Sequence, residues 1–429
     1  MTYAETLDFI FRKLPMYSRI GSVAYKADLT NVKALCSHLG NPEQKFRSVH
    51  VAGTNGKGSV SHMLASVFQT AGYKTGLYTS PHLYDFRERI RINGQVVSQQ
   101  FVTSFIDKLQ PLIEEIEPSF FEITVAMAFQ YFADQKVDIA IIEVGLGGRL
   151  DSTNIIHPEL SVITNIGFDH TAILGNTLEK IAAEKAGIIK PNVPVVVGET
   201  KPETRQVFQR TADEKASSIY WAEEMLQPFE TFLRDDTLNV AFRKQGGTIF
   251  SVASDLTGLY QVSNLRTALT AIEALQTLGW KLDDESVKTG LQQVKSATGL
   301  AGRWEVIQRA PTIVLDVAHN EDGIRRMTEH LATLSFRQLH IVIGMVKDKA
   351  VEKILALLPA SATYYFTQAA IPRALPAQEL QQQALAAGLT GDVFANVNEA
   401  LAAAKKNAAT NDFILVCGSI FLVAEVNGA

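Results

Sequence analysis

Val49-His50-Val51-Ala52-Gly53-Thr54-Asn55-Gly56-Lys57-Gly58-Ser59 is the stretch that decides how this chain is read. Val49 to Ala52 is a short apolar, β-branched run of the kind that forms a buried strand, and Ser59 to Ala71 reads as a helix stopped by Gly72. Between them lies a glycine-rich turn. A turn that joins a strand to a helix aims backbone N–H groups and the positive end of the helix at one point, which suits a phosphate. Gly53, Gly56 and Gly58 let the backbone approach an anion, with Thr54 and Asn55 completing the cradle. Lys57 places a mobile positive charge on the β- and γ-phosphates, and Ser59 offers a hydroxyl to an accompanying metal. The spacing departs from the common phosphate loop of Gly, four residues and Gly-Lys-Ser/Thr, because Gly58 intervenes before the hydroxyl and Val51 stands where the first glycine belongs.

Working outward, short β-rich runs alternate with helical segments, the pattern of parallel sheets with crossover helices. Strands are expected at Thr75–Tyr78, Val137–Glu143, Leu160–Thr164 and Val193–Val197, giving an α/β nucleotide-binding domain. Residues 223 to 260, with Gly246-Gly247 as a turn signal, suggest a small antiparallel patch at its flank. Helices are expected at Leu265–Leu278 and Ser286–Val294, and the small residues from Ser296 to Gly302 look like a linker. The alternation then restarts, with strands near Thr312–Leu315, His340–Ile343, Thr363–Phe366 and Phe413–Val416, as in a smaller Rossmann-like domain. The expected domains are residues 1–297 and 298–429.

Composition bounds what such a chain does. Its 429 residues exceed the ~250–300 at which one core usually splits, and 46% hydrophobic with 20% charged residues is ordinary globular usage. Forty basic residues against forty-five acidic ones give a net charge of −5, which offers no bulk attraction to nucleic acid or anionic membrane. Cys36 and Cys417 are the only cysteines, too few for a disulfide framework, and read as buried thiols of a reducing compartment. The first residues lack a signal-peptide pattern and no apolar run approaches the ~18 residues of a membrane span, so a cytoplasmic protein is expected.

The altered loop, Gly-Thr-Asn-Gly-Lys-Gly-Ser, resembles that of the Mur ligases and the folylpolyglutamate synthases. Five further segments narrow the resemblance to the folylpolyglutamate synthase and dihydrofolate synthase family. They are Leu39-Gly40-Asn41-Pro42, Thr79 to Leu83 with Glu88-Arg89-Ile90, Glu143 to Asp151, Asp169-His170 through Glu184 to Lys190, and Asp316-Val317-Ala318-His319-Asn320. A Mur-type cell-wall ligase is the nearest alternative, but it carries a nucleotide-sugar domain before the loop, which here begins at residue 53. A non-catalytic nucleotide-binding protein is the other, and the Asn-Lys-x-Asp segment of a GTPase switch is missing.

The resemblance implies an ATP-dependent ligase that adds L-glutamate to folates through an acyl phosphate, with dihydropteroate as a further candidate acceptor and a monomer as the expected state. Glu143, delivered by an apolar strand to the sheet edge, has the natural role of a Mg²⁺ ligand. By resemblance Ser80 and Glu143 hold one Mg²⁺ and Glu143 and His170 a second, while Lys185 is carbamylated: an ammonium would repel the metal, whereas a lysine that has captured CO₂ carries anionic oxygens. Asn264, Arg303 and Asp316 are implied as nucleotide contacts, and His319 as a group orienting phosphate or the incoming amine. His82 and Phe86, in a loop expected to be mobile, are candidates to stack on a pterin. Ser419, at a predicted helix start, is a candidate contact for glutamate, and Asp151, which closes the run shared with bifunctional members, is a further candidate substrate contact.

Overall fold

The computed structural model describes residues 1–16 and 28–427. The chain divides into two compact units, one built from Met1–Gly167, Thr171–Thr257 and Gln261–Leu300, the other from Phe168–His170, Gly258–Tyr260 and Ala301–Ala429.

The first unit is organised around an eight-stranded sheet. In chain order its strands are β1 (Arg47–Ala52), β2 (Thr75–Tyr78), β3 (Ile90–Ile92), β4 (Gln95–Val96), β5 (Ile139–Glu143), β6 (Leu160–Ile163), β7 (Val195–Val197) and β8 (Ile219–Trp221). Their spatial order is β4-β3-β2-β5-β1-β6-β7-β8, with β3 alone reversed and so antiparallel to both β2 and β4. The strands β5, β6 and β7 are buried throughout, which is why they read as unbroken apolar runs rather than alternating ones. From β1 the chain winds through helix α1 (Lys57–Thr70) toward β2, whereas β6 lies on the other side of β1. The turn after β1 therefore opens at the point where the winding direction reverses, the usual ligand crevice of such sheets.

Helix α2 (Phe120–Gln135) covers one face, started by a capping box in which Ser119 and Glu122 satisfy each other's backbone N–H groups. Its Phe129 and Phe132 join Ile10, Cys36, Phe86 and Ile142 in one apolar cluster. A second cluster gathers Ile163, Val195 and Val197 against Ile181 and Ala182 of α3 (Leu178–Ala186). The antiparallel patch is present as β9 (Leu226–Arg234), β10 (Thr237–Lys244) and β11 (Ile249–Ser254), and both Gly246 and Gly247 in the β10–β11 turn have positive φ. The unit closes with α4 (Gln261–Thr277) and the helices Asp284–Gln292 and Val294–Thr298. The expected linker from Ser296 is thus corrected: residues 296–298 are the last turn of a helix, and Thr298 is buried with its hydroxyl 2.7 Å from His62 Nδ1.

The second unit has six strands: β12 (Glu305–Arg309), β13 (Thr312–Leu315), β14 (Leu339–Ile343), β15 (Thr363–Phe366), β16 (Gly391–Val393) and β17 (Phe413–Cys417). They are ordered β12-β13-β17-β14-β15-β16, with only the edge strand β12 antiparallel. Helix α5 (Glu321–Leu331) packs Ile324 and Met327 onto this sheet in a cluster that includes Cys417. Both cysteines are buried free thiols. Among the described residues no helix is long and apolar enough to cross a membrane.

Candidate functional site

The turn after β1 is held by long-range hydrogen bonds as well as by its own Lys57. Thr54 N donates to Asn165 O at 3.0 Å and Asn55 N to Asn165 Oδ1 at 2.8 Å, while the Thr54 hydroxyl donates to Gly167 O and accepts from Gly167 N. Gly53 has φ +149° and Gly56 φ +83°; a Cβ on the first would meet Thr164 Oγ1 at 1.8 Å and on the second Asn264 Oδ1 at 2.2 Å. Both positions favour glycine by conformation, and Gly53 also by space, since the Thr164 backbone N stands 3.1 Å from that Cβ position. Gly56 caps α1, so Lys57, Gly58 and Ser59 form its first turn, where N–H groups lack partners within the helix. Lys57 Nζ folds back onto Gly53 O at 3.0 Å and Thr54 O at 3.2 Å.

Glu143 ends β5 beside this turn, in register with Val51 of β1, and is only 4% exposed. Its Oε2 accepts from Ser80 N at 3.0 Å. Lys185, in the last turn of α3, is equally buried at 4%, and its Nζ donates to Gly53 O at 2.8 Å. Lys185 is therefore not an exposed helix lysine, and the neighbouring Glu184 is bound to Arg149. The donors from Ser59, Ser80 and Glu143 are all oxygen, the set that suits a hard cation such as Mg²⁺. Among the described residues no group of three or more His, Cys, Asp or Glu side chains is arranged to hold a metal. The fit is to an ion that takes few protein ligands and completes its shell with phosphate and water.

Asp151 is not displayed to a substrate. Its buried carboxylate accepts from Leu146 N at 2.8 Å, Thr153 N at 3.0 Å and the Thr153 hydroxyl at 2.5 Å, capping the turn Ser152–Ile155. Phe86 corrects a second expectation: it opens the short helix Phe86–Arg89, is 3% exposed, and packs edge-on to Phe11 and Phe120. Asp85 and Glu88 form a capping box there, and Glu88 also accepts from Leu83 N and Tyr84 N, so the segment is tied down. His82 accepts from Arg89 Nε at 2.8 Å, and burial beside that cation lowers its pKa to about 3.

In the second unit, Asp169 is the centre of a polar cluster. Lys349 Nζ binds Asp169 Oδ1, Asn320 Nδ2 donates to Asp169 Oδ2 at 3.1 Å, and His319 Nε2 lies 3.3 Å from the same oxygen. His319 Nδ1 meets Val317 O at 2.9 Å, and His170, with φ +49°, places Nε2 3.8 Å from Asp169. Burial alone would raise the Asp169 pKa, but the His319 hydrogen bond and the charges of His170 and Lys349 hold it well below the ordinary value. Asp316 accepts from Tyr260 Oη at 2.7 Å, Ala318 N at 2.8 Å and Trp304 N at 3.0 Å. Its pKa is raised by burial despite those donors and the nearby Arg303. Ser419 is buried and caps its own helix Ile420–Val423, accepting from Phe421 N at 3.2 Å. That helix has only four residues, a short dipole to set against a carboxylate.

Sequence reasoning missed Asn165, Gln261 and Lys349. A signal existed for Asn165, which follows the apolar strand β6 at the same sheet edge as the phosphate turn. None existed for Gln261, whose Nε2 reaches Ser59 Oγ at 3.2 Å across a large sequence separation.

Comparison with known proteins places this geometry. Residues 51–272 match the Mur ligase middle domain and residues 302–420 the Mur ligase, glutamate ligase domain. The chain is 35% identical to the dihydrofolate synthase/folylpolyglutamate synthase of Bacillus subtilis over 94% of both chains. It is 33% identical to the folylpolyglutamate synthase of Lacticaseibacillus casei, over 99% of this chain and 98% of that one. The structure of Escherichia coli FolC in complex with DHPP and ADP matches with TM-score 0.85 and 30% identity, covering 99% of this chain and 96% of that one. A Mycobacterium tuberculosis folylpolyglutamate synthase complexed with ADP and AMPPCP matches with TM-score 0.88 and 31% identity, covering 98% and 97%. A bifunctional folylpolyglutamate synthase/dihydrofolate synthase with Mn, AMPPNP and L-glutamate bound matches at TM-score 0.83 and 30% identity, covering 99% and 97%.

Proposed function

The chain belongs to the folylpolyglutamate synthase and dihydrofolate synthase family, and from that premise we infer how its residues join L-glutamate to a folate at the expense of ATP. It is an ATP-dependent ligase that binds nucleotide and a divalent metal. The observation that carries the residue-level reading is the meeting of Lys57 and Lys185 on one oxygen, Gly53 O, at 3.0 and 2.8 Å, in the turn beside Glu143.

A carboxylate resists attack by an amine, since its charge repels the nucleophile and oxide is a poor leaving group. In the first step an oxygen of the folate carboxylate bonds to the γ-phosphorus and the bond from that phosphorus to the ADP oxygen breaks. In the second the glutamate amine bonds to the acyl carbon, phosphate leaves with the C–O bond, and the nitrogen gives up a proton. The N–H groups of the Gly56–Ser59 turn cradle the phosphates, and Lys57 leaves its parking place on Gly53 O to follow charge onto the transferring group. Ser59, Ser80 and Glu143 are the residues that would hold Mg²⁺, which when bound would neutralise phosphate charge. We assign Arg303 to the nucleotide, and His319, with Asp169 behind it, to orienting phosphate or amine.

Lys185 acts in this reading as a carbamate. Its Nζ adds to the carbon of CO₂ with loss of a proton, and the product keeps one N–H to donate to Gly53 O while presenting two anionic oxygens. Its burial and its place on the phosphate turn support this. The cytoplasm is the setting, consistent with two free thiols, and the monomer is the working state.

Dihydropteroate is proposed as a second acceptor, because relatives with both activities in their names are as similar as those with one. The test is purified enzyme with ATP and labelled glutamate, offered tetrahydrofolate or dihydropteroate separately. Incorporation with both is expected; incorporation with tetrahydrofolate alone removes the second acceptor, and with neither overturns the assignment.

A further inference from the structure

The first residue of α4, Gln261, is fully buried and reaches the phosphate turn, yet the mechanism above gives it nothing to do. Its Nε2 donates to Ser59 Oγ at 3.2 Å, and its Oε1 accepts from Asn264 Nδ2 at 2.7 Å. A glutamine amide has a donor end and an acceptor end. With an N–H of Asn264 aimed at Gln261, the acceptor end faces Asn264 and only the donor end is left for Ser59.

Asn264 lies against the phosphate turn, its Oδ1 in the space where a Cβ on Gly56 would stand, 2.2 Å away. The chain of orientation thus runs from Gly56 through Asn264 and Gln261 to Ser59. A serine hydroxyl has one proton and two lone pairs and otherwise rotates to suit its surroundings. Receiving an N–H from Gln261, it cannot turn its own proton that way and has its acceptor direction set. A cation requires a lone pair, and a proton aimed at it would repel it.

We propose that Gln261 is a positioning residue that holds Ser59 as an oriented acceptor, tuning the site for nucleotide bound with its divalent ion rather than for nucleotide as such. Asn264 acts in the same relay, which accounts for an amide placed beside the phosphate turn with its N–H already committed. The inference rests on the assignment of Ser59 to the metal.

Two substitutions separate orientation from packing. Gln261→Glu keeps shape and the acceptor for Asn264 but makes the other end an acceptor, so that Ser59 must donate toward it. Gln261→Met keeps bulk, adds no charge and removes the donor. The full-length chain is titrated calorimetrically with AMPPNP in excess Mg²⁺ and again in EDTA. For Gln261→Met, affinity in Mg²⁺ is expected to fall about tenfold, the size of one net hydrogen bond, while affinity in EDTA stays within about twofold. Gln261→Glu is expected to lose at least as much in Mg²⁺. In a Ser59→Ala background, Gln261→Met is expected to have no further effect. Equal losses with and without Mg²⁺, or an undiminished effect of Gln261→Met in the Ser59→Ala background, overturn the proposal. If wild-type binding itself is insensitive to Mg²⁺, the metal assignment of the turn fails first; if it is sensitive and both variants keep that sensitivity, only the role of Gln261 fails.

Discussion

Gly53 O, in the phosphate turn, takes hydrogen bonds from two lysines far apart in sequence, Lys57 and Lys185. Lys57→Ala removes the mobile charge and is expected to lower turnover by ~10²–10³, the usual cost of deleting one such contact, with the far-UV circular dichroism unchanged. Lys185→Ala is expected to be nearly inactive and partly restored by added short carboxylates, while wild-type activity falls when bicarbonate and CO₂ are rigorously removed. An unmodified Lys185 in a high-resolution map of the active, nucleotide-bound enzyme would refute the carbamate. Glu143→Gln preserves shape and the acceptor for Ser80 N, so its effect is expected in the Mg²⁺ concentration needed for half-activity, which rises. The residues of the turn were legible because a phosphate cradle is built from neighbours in sequence. Its supports were not: Asn165 and Gln261 contribute through contacts over 110 and 202 positions, which no local pattern encodes.

Elements were legible in proportion to how much of their own burial their sequence declares. Strands β2, β13 and β15 fall where their apolar runs stand, whereas β3, β4, β8 and β16, of two or three residues each, are too short to carry a period. The segment Thr79–Ile92 was misjudged for a different reason. An aromatic beside a histidine in a motif-rich loop invites a stacking role, but Phe86 is inserted among Phe11 and Phe120 by the capping box of Asp85 and Glu88. Phe86→Ala is accordingly expected to cost ~3–5 kcal/mol in urea unfolding, the usual penalty for emptying a buried phenylalanine site. A raised KM for folate with stability intact would instead return Phe86 to the substrate.

At the scale of the whole molecule, both units carry a histidine that folding keeps neutral. Burial lowers the pKa of His50 to about 3 and that of His330, edge-on to Trp304, to about 4. The unfolded chain therefore binds protons that the native state refuses between those values and the ordinary ~6.5. The stability they contribute is complete above that pH and is lost as the pH falls, by up to ~1.4 kcal/mol per pH unit for each histidine. Denaturant midpoints taken from pH 7.5 down to 5 are expected to drop, and His330→Phe to flatten the slope. Sedimentation is expected to give the mass of one chain. The placement of the cysteines gives each unit a chemical clock of its own. Cys36 lies in the first and Cys417 in the second, both shielded and with thiols pushed above the ordinary range by burial. An alkylating pulse passes them by until the surrounding half opens, so peptide mapping of the two adducts times the unfolding of each half separately in the unaltered chain.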